Sequence, residues 1–115
     1  MTGELHFKTV RELGELVRTR QISPVALTES SLYRLDIIGR HLNAVVTLTD
    51  ERAMREAREA EREIAAGNYR GPLHGIPYGA KNLLATAGGI PTSWGAAPFQ
   101  SRVFAGDATV VRKLE

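Results

Sequence analysis

The segment Gly71-Pro72-Leu73-His74-Gly75-Ile76-Pro77-Tyr78-Gly79-Ala80-Lys81-Asn82 carries a lone lysine in a stretch otherwise built from glycine, proline and uncharged side chains. Gly71-Pro72 marks a turn. Ile76 to Ala80 reads as a short strand, with Pro77 confined to its start or to a sheet edge because proline has no N–H to donate to a ladder. Lys81 then stands at a strand end. The glycine- and proline-rich, nearly uncharged composition continues to Gly106, so this is the region where chemistry is sought.

Before this segment the chain alternates helix and strand signals. Thr49 or Asp50 is suited to cap a long helix running to about Ala66, with Ala53, Ala57, Ala60 and Ile64 as a narrow buried stripe and Gly67-Asn68 as its stop. The small stripe predicts close approach to a neighbouring element. The rest of that helix is dense in charge, with Glu51 and Arg55 in the favourable i, i+4 order, and reads as a solvated face. Ala44-Val45-Val46-Thr47-Leu48 is a β-branched run bounded by Asn43 and Asp50, as expected of a strand buried on both faces. Ser23-Pro24 starts another helix, a serine N-cap followed by proline at the first helical position, reaching about Ile38 with Leu32, Leu35 and Ile38 on one face and Gly39 near its end. Thr9 and Glu12 have capping-box spacing, and Val10, Leu13, Leu16 and Val17 recur at helical period, so a further helix is predicted over about 10 to 20.

After the segment, Asp107 is placed to cap a helix whose buried side is Val110, Val111 and Leu114. That helix has no stop signal within the 115 residues. A two-turn helix without a C-cap has little stability of its own, which predicts a longer natural chain.

Composition narrows the classes. The 43% hydrophobic and 24% charged content is that of a globular protein. The net charge of +2 is small and arginines alternate with glutamates, so neither nucleic acid nor a membrane surface is an expected partner. There is no cysteine, and His6, His41 and His74 are scattered, so no metal site is expected. The N-terminus has neither a basic leader nor an apolar stretch of signal-peptide type, and the expected location is cytoplasmic. No cofactor motif appears. A phosphate-binding Walker loop fails on spacing: three residues separate Gly75 from Gly79, Ala80 precedes Lys81, and Asn82 stands where a hydroxyl is needed.

The segment 71–82 closely resembles the lysine motif of the amidase-signature family, roughly G-P-L-H-G-I-P-x-x-x-K-D. Thr86-Ala87-Gly88 with Pro91-Thr92 resembles the family's next turn, and Asp107-Ala108-Thr109-Val110-Val111 its following helix start; the capped helix after Ser23 and the Ala-Val-Val run also fall at family-like positions. The resemblance implies an α/β enzyme with a mixed, largely parallel sheet flanked by helices, of which residues 1–115 would be the N-terminal portion of a single, incomplete domain. It implies hydrolysis of a small-molecule carboxamide by a serine, a second serine joined through a cis peptide and a lysine that accepts the proton, and it carries the lysine role onto Lys81. Both serines belong in the family to a glycine-rich loop downstream of this sequence. The rest of the domain is then the expected partner of this chain, and the chain alone is expected to be inactive. Alternatives are the glutaminase subunit of a tRNA-dependent amidotransferase, or a non-catalytic remnant or interaction module.

The chemistry fits a lysine in such surroundings. With a free pKa of about 10.4 an amine is neutral in roughly one molecule in 2,500 at pH 7, a handicap of roughly 4.6 kcal/mol for a base. Burial in a dry Gly/Pro-rich pocket disfavours the ammonium form and removes part of it. The residue after the lysine is aspartate in the family pattern and Asn82 here. Loss of that charge eases deprotonation if the carboxylate acts mainly through its field, and disturbs an orienting network if it acts through hydrogen bonds. No serine present reads as a nucleophile: Ser30-Ser31 lies within a helix and Ser93-Trp94-Gly95 does not form a nucleophile elbow. His74 reads as packing or hydrogen bonding, and Trp94 and Phe99 as core, with a pocket wall as the other reading.

Overall fold

The computed structural model describes residues 2–115, with side chains described from Glu4 onward. Among the described residues five α-helices form: α1 (Thr2–Leu5), α2 (Val10–Arg18), α3 (Pro24–Arg34), α4 (Asp50–Ala65) and α5 (Thr109–Leu114). A π-helical turn, Leu35–Gly39, extends α3, and a 3-10 turn spans Ala97–Phe99.

Local signals set the helix ends. Thr9 Oγ1 accepts the Glu12 N–H at 3.2 Å while the Glu12 carboxylate accepts the Thr9 N–H at 2.7 Å, a reciprocal capping box at the start of α2. Ser23 Oγ accepts the Ala26 N–H at 3.0 Å, and Pro24 follows at the first helical position of α3. α4 begins after Thr49 without a side-chain cap and closes with a Schellman motif: Asn68 N–H donates to Glu63 O and Gly67 N–H to Ile64 O, with Gly67 at φ +87°. Arg20 adds a guanidinium bond to the terminal Ala65 carbonyl at 3.1 Å. The expected single helix from 24 to 38 changes to π geometry at Leu35, where Gly39 is buried against Val45 and accepts the Ala44 N–H.

The core forms where three helices meet the glycine-rich segment. Val17 of α2, Leu27 of α3 and Ile64 of α4 are buried together, with Leu13, Ile22, Tyr69 and Ile76 packed around them. Ala57 and Ala60 of the small stripe are also buried, and α3 lies along α4. Gly14 explains how α2 comes so close to residues 71–76: a Cβ there would lie 2.7 Å from the Pro72 carbonyl oxygen. Gly75 does the same from the other side, at φ +79° with Pro24 Cγ 2.8 Å from where its Cβ would sit.

Two expected strands do not form. Residues 44–48 and 76–80 run without regular structure, and among the described residues there is no β-strand. A strand is a paired object, and β-branched composition alone does not supply the partner. Among the described residues, 45–48 make no backbone hydrogen bond to another segment, and Val46 is 73% exposed. The helices of an α/β arrangement are therefore present here without its sheet. No helix among the described residues is long and apolar enough to cross a membrane.

Candidate active site

Residues 70–82 run along one wall of an open cleft of about 1110 Å³, whose other walls come from α3, residues 44–49, α4 and α5. The first half of the segment is anchored and the second half is presented. Ile76 docks on the core and His74 is buried, whereas residues 79–81 are exposed.

His74 is the anchor. Its Nδ1 accepts the Arg70 backbone N–H at 3.0 Å, which leaves the ring proton on Nε2 to donate to Glu63 at 2.8 Å. The Arg70 guanidinium, 3.4 Å from Nε2, cannot share that position as a donor and instead pairs with Glu63 at 3.0 Å. Tyr69 stacks on the ring at 6.0 Å between centroids. His74 thus ties the motif to α4, in keeping with a structural reading.

Lys81 lies at the cleft and is exposed, not enclosed in the dry pocket that its surroundings suggested. Its neighbours share that exposure: Tyr78, Gly79 and Ala80 also lie open along the cleft. None of the ion pairs among those residues includes Lys81. Its carbonyl accepts the Leu84 N–H at 3.0 Å, so the chain turns immediately after the lysine.

Asn82 is partly buried and makes a two-sided contact with the turn at 92–95. Its Nδ2 donates to Ser93 Oγ at 2.6 Å, its Oδ1 accepts the Ser93 N–H at 3.2 Å, and its backbone carbonyl accepts the Trp94 N–H at 3.1 Å. Ser93 is buried and also accepts the Gly95 N–H at 3.3 Å, so its role is structural. Ser30 Oγ lies 3.1 Å from His6 Nε2, and Ser31 Oγ donates to the Leu27 carbonyl, both helix-surface roles.

Trp94 and Phe99 join neither the core nor the cleft wall. They form an edge-to-face pair at 5.7 Å over Arg102, whose guanidinium lies 3.9 Å from the indole centroid, 4.3 Å from the Phe99 ring and 5.0 Å from Phe104. Arg102 Nε also donates to the Thr92 carbonyl at 3.2 Å, and Thr92 N–H returns a bond to Arg102 O at 2.8 Å, closing the loop.

Asp107 is the residue whose role differs most from expectation. The N-cap of α5 is Ala108, with no side-chain cap. The Asp107 carboxylate instead accepts the Ala87 N–H at 2.7 Å and both terminal nitrogens of Arg52, at 2.9 and 3.0 Å. Arg52 also reaches Glu56 and Glu115; the expected Glu51–Arg55 pair is not among the ion pairs of the described residues. This fork-to-fork pair links α4 to the loop after Lys81, with both side chains largely withdrawn from water. The Arg52 guanidinium, and after it the Ala87 N–H, hold the Asp107 carboxyl below its ordinary value of 3.8. Its stabilisation is therefore complete above that ordinary value and is lost as pH falls through the lower folded one. Arg52→Ala is expected to destabilise the protein by roughly 1.5–3 kcal/mol at neutral pH, because it leaves a shielded carboxylate without its cation. Urea unfolding at pH 7 and pH 3 tests this, with the difference between wild type and variant shrinking at the lower pH.

Among the described residues no three His, Asp or Glu side chains converge as a metal-ligand set. Together, fold and site define a helical scaffold that anchors a Gly/Pro-rich loop by its buried half and presents a single lysine from its free half to a cleft. The chain belongs to the amidase family, whose sequence profile matches residues 26–115. It is 34% identical over 110 residues to an acylamidase of Rhodococcus erythropolis, an alignment covering 96% of this chain and 23% of that protein. It is 36% identical over 112 residues to a subunit of the glutamyl-tRNA(Gln) amidotransferase of a Geobacter species, covering 97% and 23%. The corresponding amidotransferase protein of Alkalilimnicola ehrlichii is 39% identical over 110 residues, covering 96% and 22%. The chain thus spans less than a quarter of the length of these relatives.

Proposed function

We propose that this chain is the N-terminal portion of an amidase domain and supplies Lys81 as the proton-handling base for cleavage of a carboxamide C–N bond. The observation that carries the reading is Lys81 itself: the lysine of a family-specific motif, held at a cleft by a loop whose other half is locked to the helical core. A second observation supports it. The accessible surface is 7885 Å², whereas a compact monomer of 12.6 kDa is expected to expose roughly 6,200 Å². The excess includes the cleft walls and the unpaired segments 44–48 and 76–80, which fits a surface completed by the rest of a domain.

In this reading the neutral Lys81 amine accepts a proton relayed from the nucleophilic serine through the second serine. The serine oxygen attacks the amide carbon, the C–N bond breaks as the proton passes to the leaving nitrogen, and ammonia or an amine departs. Water then attacks the acyl ester, giving one proton back through Lys81 as the carboxylic acid leaves and the serine is restored. The two serines come from a part of the protein outside these 115 residues. The same part must cover Lys81, since only a desolvated amine is an efficient base near neutral pH.

The identity to the amidotransferase proteins favours one second reading, in which the released ammonia is passed to a partner and the chemistry at Lys81 is unchanged. The test is a chimera in which residues 1–115 replace the segment they match in the Rhodococcus acylamidase. Hydrolysis of simple carboxamides by the chimera, with none by the 115-residue chain alone, is the expected result. Turnover by the isolated chain that depends on Lys81 overturns the requirement for the missing serines.

A further inference from the structure

We infer that Asn82 is a positioning residue for Lys81: a neutral clamp that fixes the lysine's backbone against the 92–95 turn without setting a negative charge beside its ammonium group. This rests on the proposed role of Lys81 and adds to it what the residue following the lysine does.

The geometry separates the two possible consequences of asparagine at this position. The orienting contacts are intact. Ser93 N–H needs an acceptor, which assigns that position to Oδ1, and the opposed Nδ2 donates to Ser93 Oγ at 2.6 Å. With the Trp94 N–H on the Asn82 carbonyl, one residue engages two consecutive residues of the turn through three bonds. The turn is itself fixed. Ser93 is buried, and Trp94 is held at φ +56°, a left-handed conformation uncommon for a bulky side chain, with Arg102 stacked on its indole. Lys81 therefore leaves a rigid base even though its own side chain is exposed.

The charge is what differs. An aspartate is isosteric here: one oxygen would accept the Ser93 N–H and the other the Ser93 hydroxyl proton, so the clamp would persist while a full negative charge appeared one residue from the ammonium. The other charged groups sharing the cleft are of mixed sign and come from two sides: Arg52, Arg55, Glu56, Glu59, Glu63 and Arg70 on or just after α4, and Arg112, Lys113 and Glu115 on or just after α5. Glu56, Glu63, Arg52 and Arg70 are already engaged in pairs of their own. Asn82 thus leaves the immediate surroundings of Lys81 without an added carboxylate.

The chain offers its own reporters. It has three lysines, Lys8, Lys81 and Lys113, and one tryptophan, Trp94, on the clamped turn. Competitive acylation with acetic anhydride across pH 6 to 11, read by peptide mass spectrometry, follows Lys81 with Lys8 and Lys113 as internal references, and Trp94 fluorescence follows the clamp. For Asn82→Asp the expected result is an unchanged Trp94 emission and a Lys81 profile displaced to higher pH, with Lys81 labelled roughly threefold more slowly near pH 8 than in wild type and the references unmoved. For Asn82→Ala, Trp94 emission should shift to the red while the Lys81 profile shows no such displacement. The inference is overturned if the Asn82→Asp and wild-type Lys81 profiles coincide, or if Asn82→Ala leaves Trp94 emission unchanged. Neither failure touches the family motif or the chimera experiment, so the amidase reading stands or falls separately.

Discussion

Replacing Lys81 by alanine is expected to lower amide hydrolysis by the chimera by at least about a thousandfold, with kcat falling far more than KM rises. Removing one member of a nucleophile and base unit typically has effects of this order or larger, because the members act together and the remaining groups cannot transfer the proton. Substrate binding draws on other cleft surfaces, so KM should change little. Lys81→Arg should be almost as inactive, since a guanidinium stays protonated and cannot accept the proton. In the 115-residue chain Lys81 is exposed and outside every ion pair among the described residues, so there these substitutions should leave thermal stability within about 0.5 kcal/mol of wild type. Loss of rate with preserved stability separates a chemical role from a structural one.

Gly75→Ala is expected to be the most destabilising single-methyl change in the motif. The backbone there is left-handed at φ +79°, which disfavours alanine by roughly 1–2 kcal/mol. The new Cβ would also sit 2.8 Å from Pro24 Cγ, 3.1 Å from Pro24 Cβ and 3.4 Å from Val17 Cγ1. Pro24 is held in a ring at the first turn of α3 and Val17 is in the core, so neither yields freely, and overpacking adds roughly 1–3 kcal/mol. A total of roughly 2–5 kcal/mol is a large share of a small domain's stability and should lower the thermal midpoint by about 10 °C or more. Gly79→Ala is the matched control, with nothing within 4 Å of its Cβ, and should be nearly neutral. An unchanged midpoint for Gly75→Ala, measured by circular dichroism, would refute the close packing of α2, α3 and the motif.

Helix starts are legible in the sequence because their causes are local. Thr9 with Glu12, and Ser23 with Pro24, satisfy orphan N–H groups within one turn, and Gly67-Asn68 closes α4 by the same short-range logic. Lys81 is legible as a position because a motif fixes it. Its exposure is not, since burial depends on what covers the cleft. The β-branched run at 44–48 and the segment 76–80 have the composition of strands, and among the described residues neither has the partner that composition cannot provide. Asp107 resembles a helix cap because its neighbours in sequence suit one. Its partners, Arg52 and Ala87, are 55 and 20 residues away, and no local pattern announces them. Gly14 carries even less signal. Inside a helix it reads only as a weak former, and the Pro72 carbonyl that requires it belongs to another part of the chain. The Asn82–Ser93 contact is of the same kind: the departure from aspartate is visible in the sequence, but whether the orienting bonds survive depends on where the turn at 92–95 lies.

The most direct test of Lys81 as the proton-accepting base is chemical rescue of the Lys81→Ala chimera by small primary amines such as methylamine. Hydrolysis is expected to return in proportion to amine concentration and to rise with the fraction of free base as pH increases, while a quaternary ammonium ion of similar size restores nothing. Lys81→Ala hydrolysing carboxamides at the parent chimera's rate would contradict that role. So would equal restoration by the amine and by the quaternary ion, since that would make Lys81 a positive charge and not a base.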